Sequence, residues 1–325
     1  MEQRATTRRT LGHSTVQVTR LGLGTAPIGG LFSSVGDQAA QDVVRRVLDE
    51  GIGYVDTAPF YGHGVSERRI GEVLRTVDRD SFTLSTKVGR LIIDVEAGER
   101  FENNLYVDAP PSQAVFDYSR DGIRRSLEQS LTRLGLDRVD IAYIHDPDNH
   151  EREALETAYP TLHELRAEGL LGAIGVGMNQ SRIPTRFVRE TEVDAVLLAG
   201  RYTLLDQSGA EDLLPACVER GASVVIGGVY NSGLLANPEP GATYDYHQAP
   251  DHLVARAQHL GAICAEHQVP LQAAAIQFPL THPAVACVLT GVRTVEEFEQ
   301  NLAMLNWEIP DALWSDLAEE GVVRR

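Results

Sequence analysis

The feature that most constrains this chain is a regular alternation of short apolar runs with amphipathic helical segments. Each run is rich in β-favouring residues, and each is followed by a stretch in which apolar residues recur with the 3.6-residue period of a helix. Short, mostly apolar strands are typical of a sheet that is buried on both faces. The pattern predicts eight strands, at residues 21–25, 53–57, 82–86, 139–144, 172–177, 195–198, 223–226 and 285–289.

Helix ends are marked in three of the segments that lie between these strands. Gly51 closes QAAQDVVRRVLDEG and Gly135 closes SRDGIRRSLEQSLTRLG, because glycine readily adopts the left-handed conformation that ends a helix. The segment SERRIGEVLRTV is predicted to begin with Ser66 as its N-cap.

Eight strand–helix units predict parallel pairing with right-handed crossovers, closing into a (β/α)8 TIM barrel that spans residues 1–325 as a single domain. The alternative is an open, doubly wound sheet, which would carry a GxGxxG loop after its first strand. This chain has GLGTAPIGG there. Before the first strand, TLGHSTVQV alternates around a polar turn and predicts a short hairpin that covers the lower end of the barrel.

Composition argues against several classes of partner. The net charge is −17 and no basic cluster is present, which disfavours nucleic acid and anionic membrane surfaces. No apolar stretch approaches the roughly 18 residues of a membrane-spanning helix, and the N-terminus has no signal-like apolar region. Cys217, Cys264 and Cys287 form no disulfide or zinc pattern, so the cytoplasm is the expected compartment. The oligomeric state is not indicated.

Two predicted connections, residues 88–118 and 227–250, are much longer than the others. Both follow strand C-termini, which is where barrel enzymes carry their chemistry. The aromatic side chains of these loops either contact a substrate or pack the loops onto the barrel. They are Phe101, Tyr106, Phe116, Tyr118, Tyr230, Tyr244 and Tyr246.

Four titratable side chains follow consecutive predicted strands. Asp56 and Tyr61 follow the second strand, Lys87 ends the third and His145 ends the fourth. Lys87 is also the one lysine among the 29 Lys and Arg residues of the chain. Each residue alone has an ordinary structural interpretation, but together at one rim of a barrel they predict an active site.

Such a set suits the interconversion of a carbonyl and an alcohol. A lysine cation is expected to lower the pKa of Tyr61 from its usual value of about 10, while Asp56 holds the cation in place. A neutral His145 can hydrogen-bond the substrate oxygen, and Tyr61 can then donate or accept the proton. The hydride implies a nicotinamide cofactor.

At these residues the chain resembles the aldo-keto reductase family, over nearly its whole length. The strings DTAPFYG, STKVG and DIAYIHDPD match the Asp, Tyr, Lys and His of that family's catalytic tetrad. Four further strings, FDYSRDGIRRSLEQSLTRLGLDRVDIAYIHDPD, GVGMNQ, AGRYTLLDQ and GGVYNSGLL, resemble its branch of D-threo-aldose or L-fucose 1-dehydrogenases and the related pyridoxal 4-dehydrogenase.

The resemblance implies that the chain oxidises the anomeric hydroxyl of an aldose to a lactone, or alternatively oxidises pyridoxal as its hemiacetal. It implies a substrate site that includes Phe60, Tyr61, Tyr118 and His145. It also implies an extended dinucleotide across the barrel top. The cofactor contacts that it implies are Gly24, Thr25, Ala26, Asp56, Asn179, Tyr230, Asn231, Ser232, Gly233, Leu234, Gly291, Arg293, Thr294, Glu297 and Asn301.

Cofactor choice depends on the last part of that set. Relatives that are specific for the phosphorylated cofactor often carry Lys at the position of Gly291 and Arg at that of Glu297, and this chain has neither cation. NAD is therefore favoured, although Arg293 could still pair with a 2′-phosphate and NADP stays possible.

Other functions compatible with the pattern are a general aldehyde or ketone reductase, a Schiff-base aldolase that uses Lys87, and a regulatory subunit that binds a dinucleotide. The string HDPDNH can also be read as metal ligands, namely His145, Asp146, Asp148 and His150. Its spacing matches no standard site and Pro147 favours a turn, so no metal is assigned.

Overall fold

A computed structural model describes residues 4–95 and 105–322 of the chain. The strands of these residues are β1 (Arg8–Thr10), β2 (Gln17–Thr19), β3 (Leu21–Gly24), β4 (Tyr54–Asp56), β5 (Thr83–Val88), β6 (Arg90–Asp94), β7 (Ser112–Phe116), β8 (Ile141–His145), β9 (Ala173–Met178), β10 (Ala195–Ala199), β11 (Ser223–Gly227), β12 (Thr243–Tyr244), β13 (His247–Gln248) and β14 (Val285–Gly291).

The α-helices are α1 (Asp37–Asp49), α2 (Val65–Leu74), α3 (Arg120–Leu134), α4 (Glu151–Glu153), α5 (Tyr159–Ala167), α6 (Arg182–Glu190), α7 (Leu213–Arg220), α8 (Asp251–Glu266), α9 (Leu271–Gln277), α10 (Val295–Asn306) and α11 (Asp311–Glu319). A π-helical turn, Ala154–Ala158, joins α4 to α5. Short 3-10 turns lie at Arg4–Thr6, Pro27–Gly29, Arg79–Ser81, Ser208–Ala210 and Phe278–Thr281. None of the described helices is long and apolar enough to cross a membrane.

Eight parallel strands form a closed barrel, which confirms the predicted (β/α)8 fold. Around the barrel the order is β3, β4, β5, β8, β9, β10, β11 and β14, and β14 pairs with β3 to close it. Each predicted strand coincides with one of these eight strands to within a few residues. Because all eight run in the same direction, their C-terminal ends meet at a single rim.

The predicted N-terminal hairpin is also present, as the antiparallel pair β1 and β2. Its side chains Leu11 and Val18 are buried with the residues that fill the barrel interior. The backbone N–H of Gly12 donates to Ser223 Oγ at 2.9 Å, at the first residue of β11. The hairpin therefore closes the end of the barrel that is opposite the C-terminal rim.

Both predicted helix-ending glycines lie where expected, whereas the predicted N-cap does not. Gly135 caps α3 with a φ of 68°, and Gly51 lies just beyond α1 with a φ of 77°. The prediction that Ser66 is an N-cap is wrong, because α2 begins at Val65 and Gly64 precedes it. Ser66 is buried and donates its hydroxyl to Thr25, since this end of α2 packs against the loop that follows β3.

Both long connections rise from the C-terminal rim, and each contains a small hairpin. The connection after β5 carries β6 paired with β7, and the connection after β11 carries β12 paired with β13. Phe101, one of the predicted loop aromatics, lies outside the described residues. All three cysteines are buried free thiols.

Candidate active site

The four titratable residues predicted from the sequence meet at the C-terminal rim. Asp56 is the last residue of β4, His145 is the last residue of β8, and Lys87 lies one residue before the end of β5. These three strands are neighbours in the barrel, so their ends lie side by side. Tyr61 reaches the same point from the loop between β4 and α2.

Lys87 is at the centre of this group. Its Nζ donates to Asp56 Oδ2 at 2.7 Å, to the carbonyl oxygen of Thr57 at 3.0 Å and to Tyr61 Oη at 2.9 Å. All three N–H bonds of the ammonium are therefore used, and the side chain is only 2% exposed. A compact, three-donor cation fits this arrangement, whereas the planar fork of arginine does not.

The pKa of Tyr61 differs from the sequence expectation. Burial and the negative charge of Asp56 raise the pKa of Tyr61 well above its usual value. The expected net lowering of this pKa is therefore wrong, because burial, the largest cause, and Asp56 outweigh the hydrogen bond from Lys87, which by itself favours the phenolate. In the resting protein Tyr61 is thus a neutral phenol that can donate a proton.

His145 is neutral in this environment. Burial, together with the positive charges of Arg90 and Lys87, lowers the pKa of His145 well below its usual value. The ring is 6% exposed and stands edge-on to the ring of Tyr61, with 6.3 Å between the ring centroids. Among the described residues its Nδ1 has no hydrogen-bond partner. A neutral imidazole beside a phenol can bind and orient an oxygen that gains or loses a proton.

Arg90 is a residue of the site that the sequence reasoning did not identify. Its guanidinium lies between the rings of Phe60 and Phe116, 4.4 and 4.6 Å from their centroids, and donates to Asp146. The signal was its position, since Arg90 is the first charged residue after the strand that carries Lys87. Its charge helps to keep His145 neutral.

Aromatic rings surround the open side of the tetrad. Phe60 contacts Tyr106 edge-on at 5.5 Å, and Tyr106 in turn lies 6.3 Å from the ring of Tyr61. Farther out, Phe32 and Tyr246 approach one another at 6.0 Å from opposite loops, and both rings are nearly half exposed. Of the predicted loop aromatics, Tyr106 and Tyr246 therefore lie near the site.

Tyr118 does not contribute a substrate surface, contrary to the expectation. Its side chain is 1% exposed, and its hydroxyl donates to the carbonyl oxygens of His145 and Asp146. The ring also fills the space above Gly89, where an added Cβ would lie 2.3 Å from Tyr118 Cε1. Tyr118 thus supports the loop that carries His145 from beneath.

The residues predicted to contact the nicotinamide end of the cofactor differ in exposure. Gly24 and Ala26 are partly exposed at the rim after β3. Thr25 lies between them but is 0% exposed, because its hydroxyl donates to the carbonyl oxygen of Asp56 and accepts from Ser66. Thr25 therefore holds two loops together, and its cofactor contact stays a prediction. Asn179 is exposed directly after β9.

The residues that follow β11 also differ in exposure. Ser232 and Gly233 are partly exposed, and a Cβ added to Gly233 would meet nothing within 4 Å. Leu234 is 0% exposed and packs in the outer core, and its predicted cofactor contact stays a prediction. Asn231 is 2% exposed, donates to the carbonyl oxygen of Gly200, and has an Oδ1 without a partner among the described residues.

At the predicted adenosine end, the loop after β11 contacts helix α10. The hydroxyl of Tyr230 donates to Asn301 Oδ1 at 3.0 Å. Tyr230 is therefore directed towards this end of the barrel top. Thr294 is the N-cap of α10, and its Oγ1 accepts from the backbone N–H of Glu297 at 3.2 Å.

The side chain of Glu297 accepts a second hydrogen bond at this helix start, from the residue that precedes the N-cap. Its Oε2 accepts from the backbone N–H of Arg293 at 2.7 Å, which fixes the carboxylate at the start of the helix. The guanidinium of Arg293 lies 3.9 Å from the other oxygen of Glu297. The single cation of this loop is thus accompanied by a carboxylate. Gly291, at the end of β14, is exposed beside them.

The residues of the rim fit an extended nicotinamide dinucleotide on two observations. Gly24, Gly177 and Gly227 each lie at or near the C-terminal end of a barrel strand and leave room that a side chain would fill, since an added Cβ would meet nothing closer than 3.6 Å. The buried Oδ1 of Asn231, which has no partner among the described residues, is a further acceptor in the loop after β11. When bound, a nicotinamide supplies or accepts a hydride.

The HDPDNH string is used in separate interactions. Asp146 accepts from Arg90, Asp148 accepts from Gln180, and His150 lies 3.1 Å from Glu153. Asp146 has a φ of 44°, which is consistent with a turn. In residues 4–95 and 105–322 no group of three or more His, Cys, Asp or Glu side chains is arranged to hold a metal ion.

Comparison with known proteins identifies relatives of this geometry. The model of the aldo/keto reductase family matches residues 20–320. The chain is 44% identical over 313 residues to a D-threo-aldose 1-dehydrogenase of a Pseudomonas species, covering 94% of this chain and 95% of the relative. It is 41% identical over 347 residues to the pyridoxal 4-dehydrogenase of Microbacterium luteolum, covering 99% and 100%.

Solved structures show the same fold. An aldo-keto reductase from Bacillus halodurans superposes with a TM-score of 0.77 at 24% identity, covering 97% of this chain and 96% of the other. A glycerol dehydrogenase from Gluconobacter oxydans gives a TM-score of 0.75 at 23% identity, covering 97% and 94%. At these identities the likeness supports the fold alone.

Proposed function

Because the chain belongs to the aldo/keto reductase family, and is thus an NAD(P)-dependent oxidoreductase, we propose that it oxidises the anomeric hydroxyl of an aldose to a lactone. The aldose is of the L-fucose or D-threo type. The observation that carries the proposal is the placement of Tyr61 Oη at the rim, 2.9 Å from Lys87 Nζ and beside a neutral His145. The 44% identity to a D-threo-aldose 1-dehydrogenase supports this choice of substrate class.

The proposed reaction uses Tyr61 as the proton acceptor. Oxidation of a cyclic hemiacetal removes a hydride from C1 and a proton from its hydroxyl, which leaves the C=O of a lactone. The phenolate form of Tyr61 takes that proton, and the hydrogen bond from Lys87 stabilises the phenolate. Asp56 holds the ammonium in place through its hydrogen bond. In the reverse direction the neutral phenol donates the proton.

His145 and the surrounding rings orient the substrate in this proposal. The neutral imidazole of His145 hydrogen-bonds the oxygen at C1, which directs its proton towards Tyr61. Phe60 and Tyr106 offer apolar surfaces beside this point. Rings of this kind suit the C–H faces of a sugar, while the half-exposed Tyr246 lies at the outer edge.

We propose NAD as the preferred cofactor. Glu296 and Glu297 both lie in the first turn of α10, where Glu297 is fixed by its bond to the backbone of Arg293. Two carboxylates next to the predicted ribose site repel a 2′-phosphate and can accept hydrogen bonds from ribose hydroxyls instead. Arg293 alone opposes this effect, so NADP is expected to be the weaker cofactor.

A second candidate function is oxidation of pyridoxal. It is favoured by the 41% identity to a pyridoxal 4-dehydrogenase, which covers 99% of this chain. Pyridoxal forms an internal hemiacetal, so the same proton acceptor serves the same step on a flatter ring. The rings of Phe60 and Tyr106 suit a pyridine as well as a sugar.

The Schiff-base alternative is disfavoured by the geometry. A lysine that attacks a carbonyl carbon needs a free, neutral and accessible amine. Lys87 is 2% exposed and donates three hydrogen bonds, one of them to an Asp56 carboxylate. A substrate carbon has no open approach to its Nζ.

The experiment is a substrate panel with the purified protein. L-fucose, L-galactose, D-arabinose and pyridoxal are each supplied with NAD or with NADP, and formation of the reduced cofactor is followed by absorbance. The proposal expects the highest kcat/KM for one of the aldoses with NAD. Turnover of pyridoxal alone would establish the second candidate, and absence of turnover with every pair, despite cofactor binding, would point to a regulatory subunit.

A further inference from the structure

Two tyrosines occupy the interior of the barrel, directly below the tetrad. Barrel interiors are filled mostly by branched aliphatic side chains, but Tyr54 on β4 and Tyr143 on β8 are both 0% exposed there. The strands beside β4 and β8 have a glycine at the position that faces each tyrosine ring. A Cβ added to Gly22 would lie 2.9 Å from Tyr54 Cδ1, and one added to Gly175 would lie 2.5 Å from Tyr143 Cδ1.

The hydroxyls of these tyrosines are connected to Asp56. Tyr143 Oη lies 3.2 Å from Tyr54 Oη, and Tyr54 Oη lies 3.0 Å from Ser85 Oγ. Ser85 then donates to Asp56 Oδ1 at 2.7 Å, while the other oxygen of Asp56 accepts from Lys87. A continuous series of hydrogen bonds therefore runs from the barrel centre to Tyr61 at the rim.

The direction of each bond in this series follows from proton counting. An ionised carboxylate only accepts, so the one hydroxyl proton of Ser85 is committed to Asp56. Ser85 Oγ must then accept from Tyr54, and Tyr54 Oη must accept from Tyr143. Burial raises the pKa of both tyrosines, so each keeps the proton that it donates. All three hydroxyls thus point towards the carboxylate, and aligned bonds of this kind strengthen one another.

We propose that Tyr143, Tyr54 and Ser85 form a donor chain that holds Asp56 as an anion and keeps its second oxygen directed at Lys87. Ser85 is the positioning residue of this chain, because it acts on the tetrad through Asp56. The inference rests on the proposed roles of Asp56, Lys87 and Tyr61. Burial raises the pKa of Asp56, and the bonds from Lys87 and Ser85 oppose that rise, so loss of the Ser85 hydroxyl favours a protonated Asp56.

Other charged groups face the same site and stay unchanged in the test. Lys87 lies beside Asp56, while Arg90, Asp146 and Tyr246 influence Tyr61 from the loops above. Below, Cys287 adds to the buried titratable groups near Tyr143 and Asp56. A difference among the variants of Ser85, Tyr54 and Tyr143 can therefore be assigned to the donor chain.

The single lysine provides a direct probe of this inference. Protein grown with lysine that is 13C-labelled at Cε gives one side-chain resonance, that of Lys87, whose chemical shift reports whether the amine is charged. In the cofactor-free protein at neutral pH, Ser85→Ala is expected to shift this resonance, because a protonated Asp56 no longer presents a charged acceptor to Lys87 Nζ. Tyr54→Phe should give a smaller shift and Tyr143→Phe the smallest. An unchanged resonance in Ser85→Ala and Tyr54→Phe would overturn the proposal.

Kinetics provide the second measurement. With L-fucose or pyridoxal, whichever is turned over, Ser85→Ala is expected to lower kcat about 10- to 100-fold, which is the range for loss of a hydrogen bond to a charged group, while KM changes little. Tyr202→Phe, a buried tyrosine of the outer core, is the matched control and should leave kcat unchanged. Equal losses in Tyr54→Phe and Tyr202→Phe would contradict a specific chain.

The two measurements separate the inference from the proposed function. If none of the substrates is oxidised, the proposed function fails while the lysine resonance still tests the chain. If Ser85→Ala does not fold, Tyr54→Phe removes a single oxygen and decides the question in both assays.

Discussion

Pro27 occupies the space that a side chain at position 291 would need, since a Cβ built on Gly291 would lie 2.8 Å from Pro27 Cγ. Pro27 begins the short turn Pro27–Gly29 at the rim after β3, next to the end of β14. A lysine at position 291 would therefore require this turn to move. We therefore propose that any discrimination between the two nicotinamide cofactors depends on Arg293 and on Glu297, which lies in the first turn of α10.

The first prediction concerns Glu297. Glu297→Gln keeps an oxygen that can accept from the backbone N–H of Arg293 but removes the charge. We expect the ratio of kcat/KM with NAD to that with NADP to fall about 5-fold, as for one charge interaction of about 1 kcal/mol near the surface. Glu299→Gln removes the same charge from another position on α10 and should leave the ratio unchanged. An unaltered ratio in Glu297→Gln would contradict the proposed cofactor preference.

The second prediction concerns the proton acceptor. Tyr61→Phe keeps the ring but removes the hydroxyl that bonds Lys87. Oxidation should fall about 100- to 10,000-fold, which is the usual contribution of a positioned acid or base. The dissociation constant for NADH, measured by fluorescence, should change little because the ring remains. Turnover within a few-fold of the wild type would remove Tyr61 from the mechanism.

The third prediction concerns the single lysine. Lys87→Arg keeps the charge but cannot direct one compact donor group at Asp56, Thr57 and Tyr61. The lysine side chain is 2% exposed, so there is little room for a larger group. We expect a loss of kcat as large as in Tyr61→Phe. Lys87→Met, which keeps the length without the charge, is the control and should lose as much. Near-normal activity of the arginine variant would mean that the lysine is not required.

The fourth prediction is a pH dependence. Oxidation needs the phenolate of Tyr61, and burial and Asp56 raise its pKa well above the usual value. Below that pKa the phenolate fraction grows about tenfold for each pH unit, so kcat/KM for oxidation should still be rising at about pH 10. Reduction uses the neutral phenol and should be nearly independent of pH from about 6 to 9. A plateau of oxidation near neutral pH would show that Lys87 outweighs Asp56.

The fifth prediction concerns the glycines that admit the interior tyrosines. In Gly175→Ala the new Cβ would lie 2.5 Å from both Tyr143 Cδ1 and the backbone oxygen of Ala195. This overpacking should lower the free energy of unfolding by about 1–3 kcal/mol, measured in urea. Gly261→Ala, in the middle of α8, meets only Leu271 Cδ2 at 3.7 Å and should raise the free energy by about 0.5–1 kcal/mol. Equal effects would argue against the tight packing around Tyr143.

The barrel could be predicted because its signal is local and repeated. A strand buried on both faces must be apolar, and a helix that covers it must be amphipathic, so each of the eight units carries its own pattern. The tetrad followed from the same pattern, since a residue at the end of a parallel strand lies at the shared rim. This reasoning locates Asp56, Lys87 and His145 at the ends of β4, β5 and β8 without the use of any side-chain contact.

Burial at single positions could not be predicted in the same way. Thr25, Tyr118 and Leu234 lie in segments that approach the rim, yet each side chain is buried. Their positions depend on partners that are distant in the sequence, such as Ser66 for Thr25 and the carbonyl oxygen of His145 for Tyr118. Sequence spacing alone contains no information about such pairs.

By itself, therefore, the sequence determined the barrel, the rim and the identity of the four groups that meet there, because these follow from periodicity and strand direction. Tertiary structure alone decided how those groups are charged. Burial and Asp56 raise the pKa of Tyr61, whereas burial, Arg90 and Lys87 lower the pKa of His145. Electrostatic energies depend on distances of a few ångströms between side chains from different strands and loops, and those distances exist only once the barrel has closed.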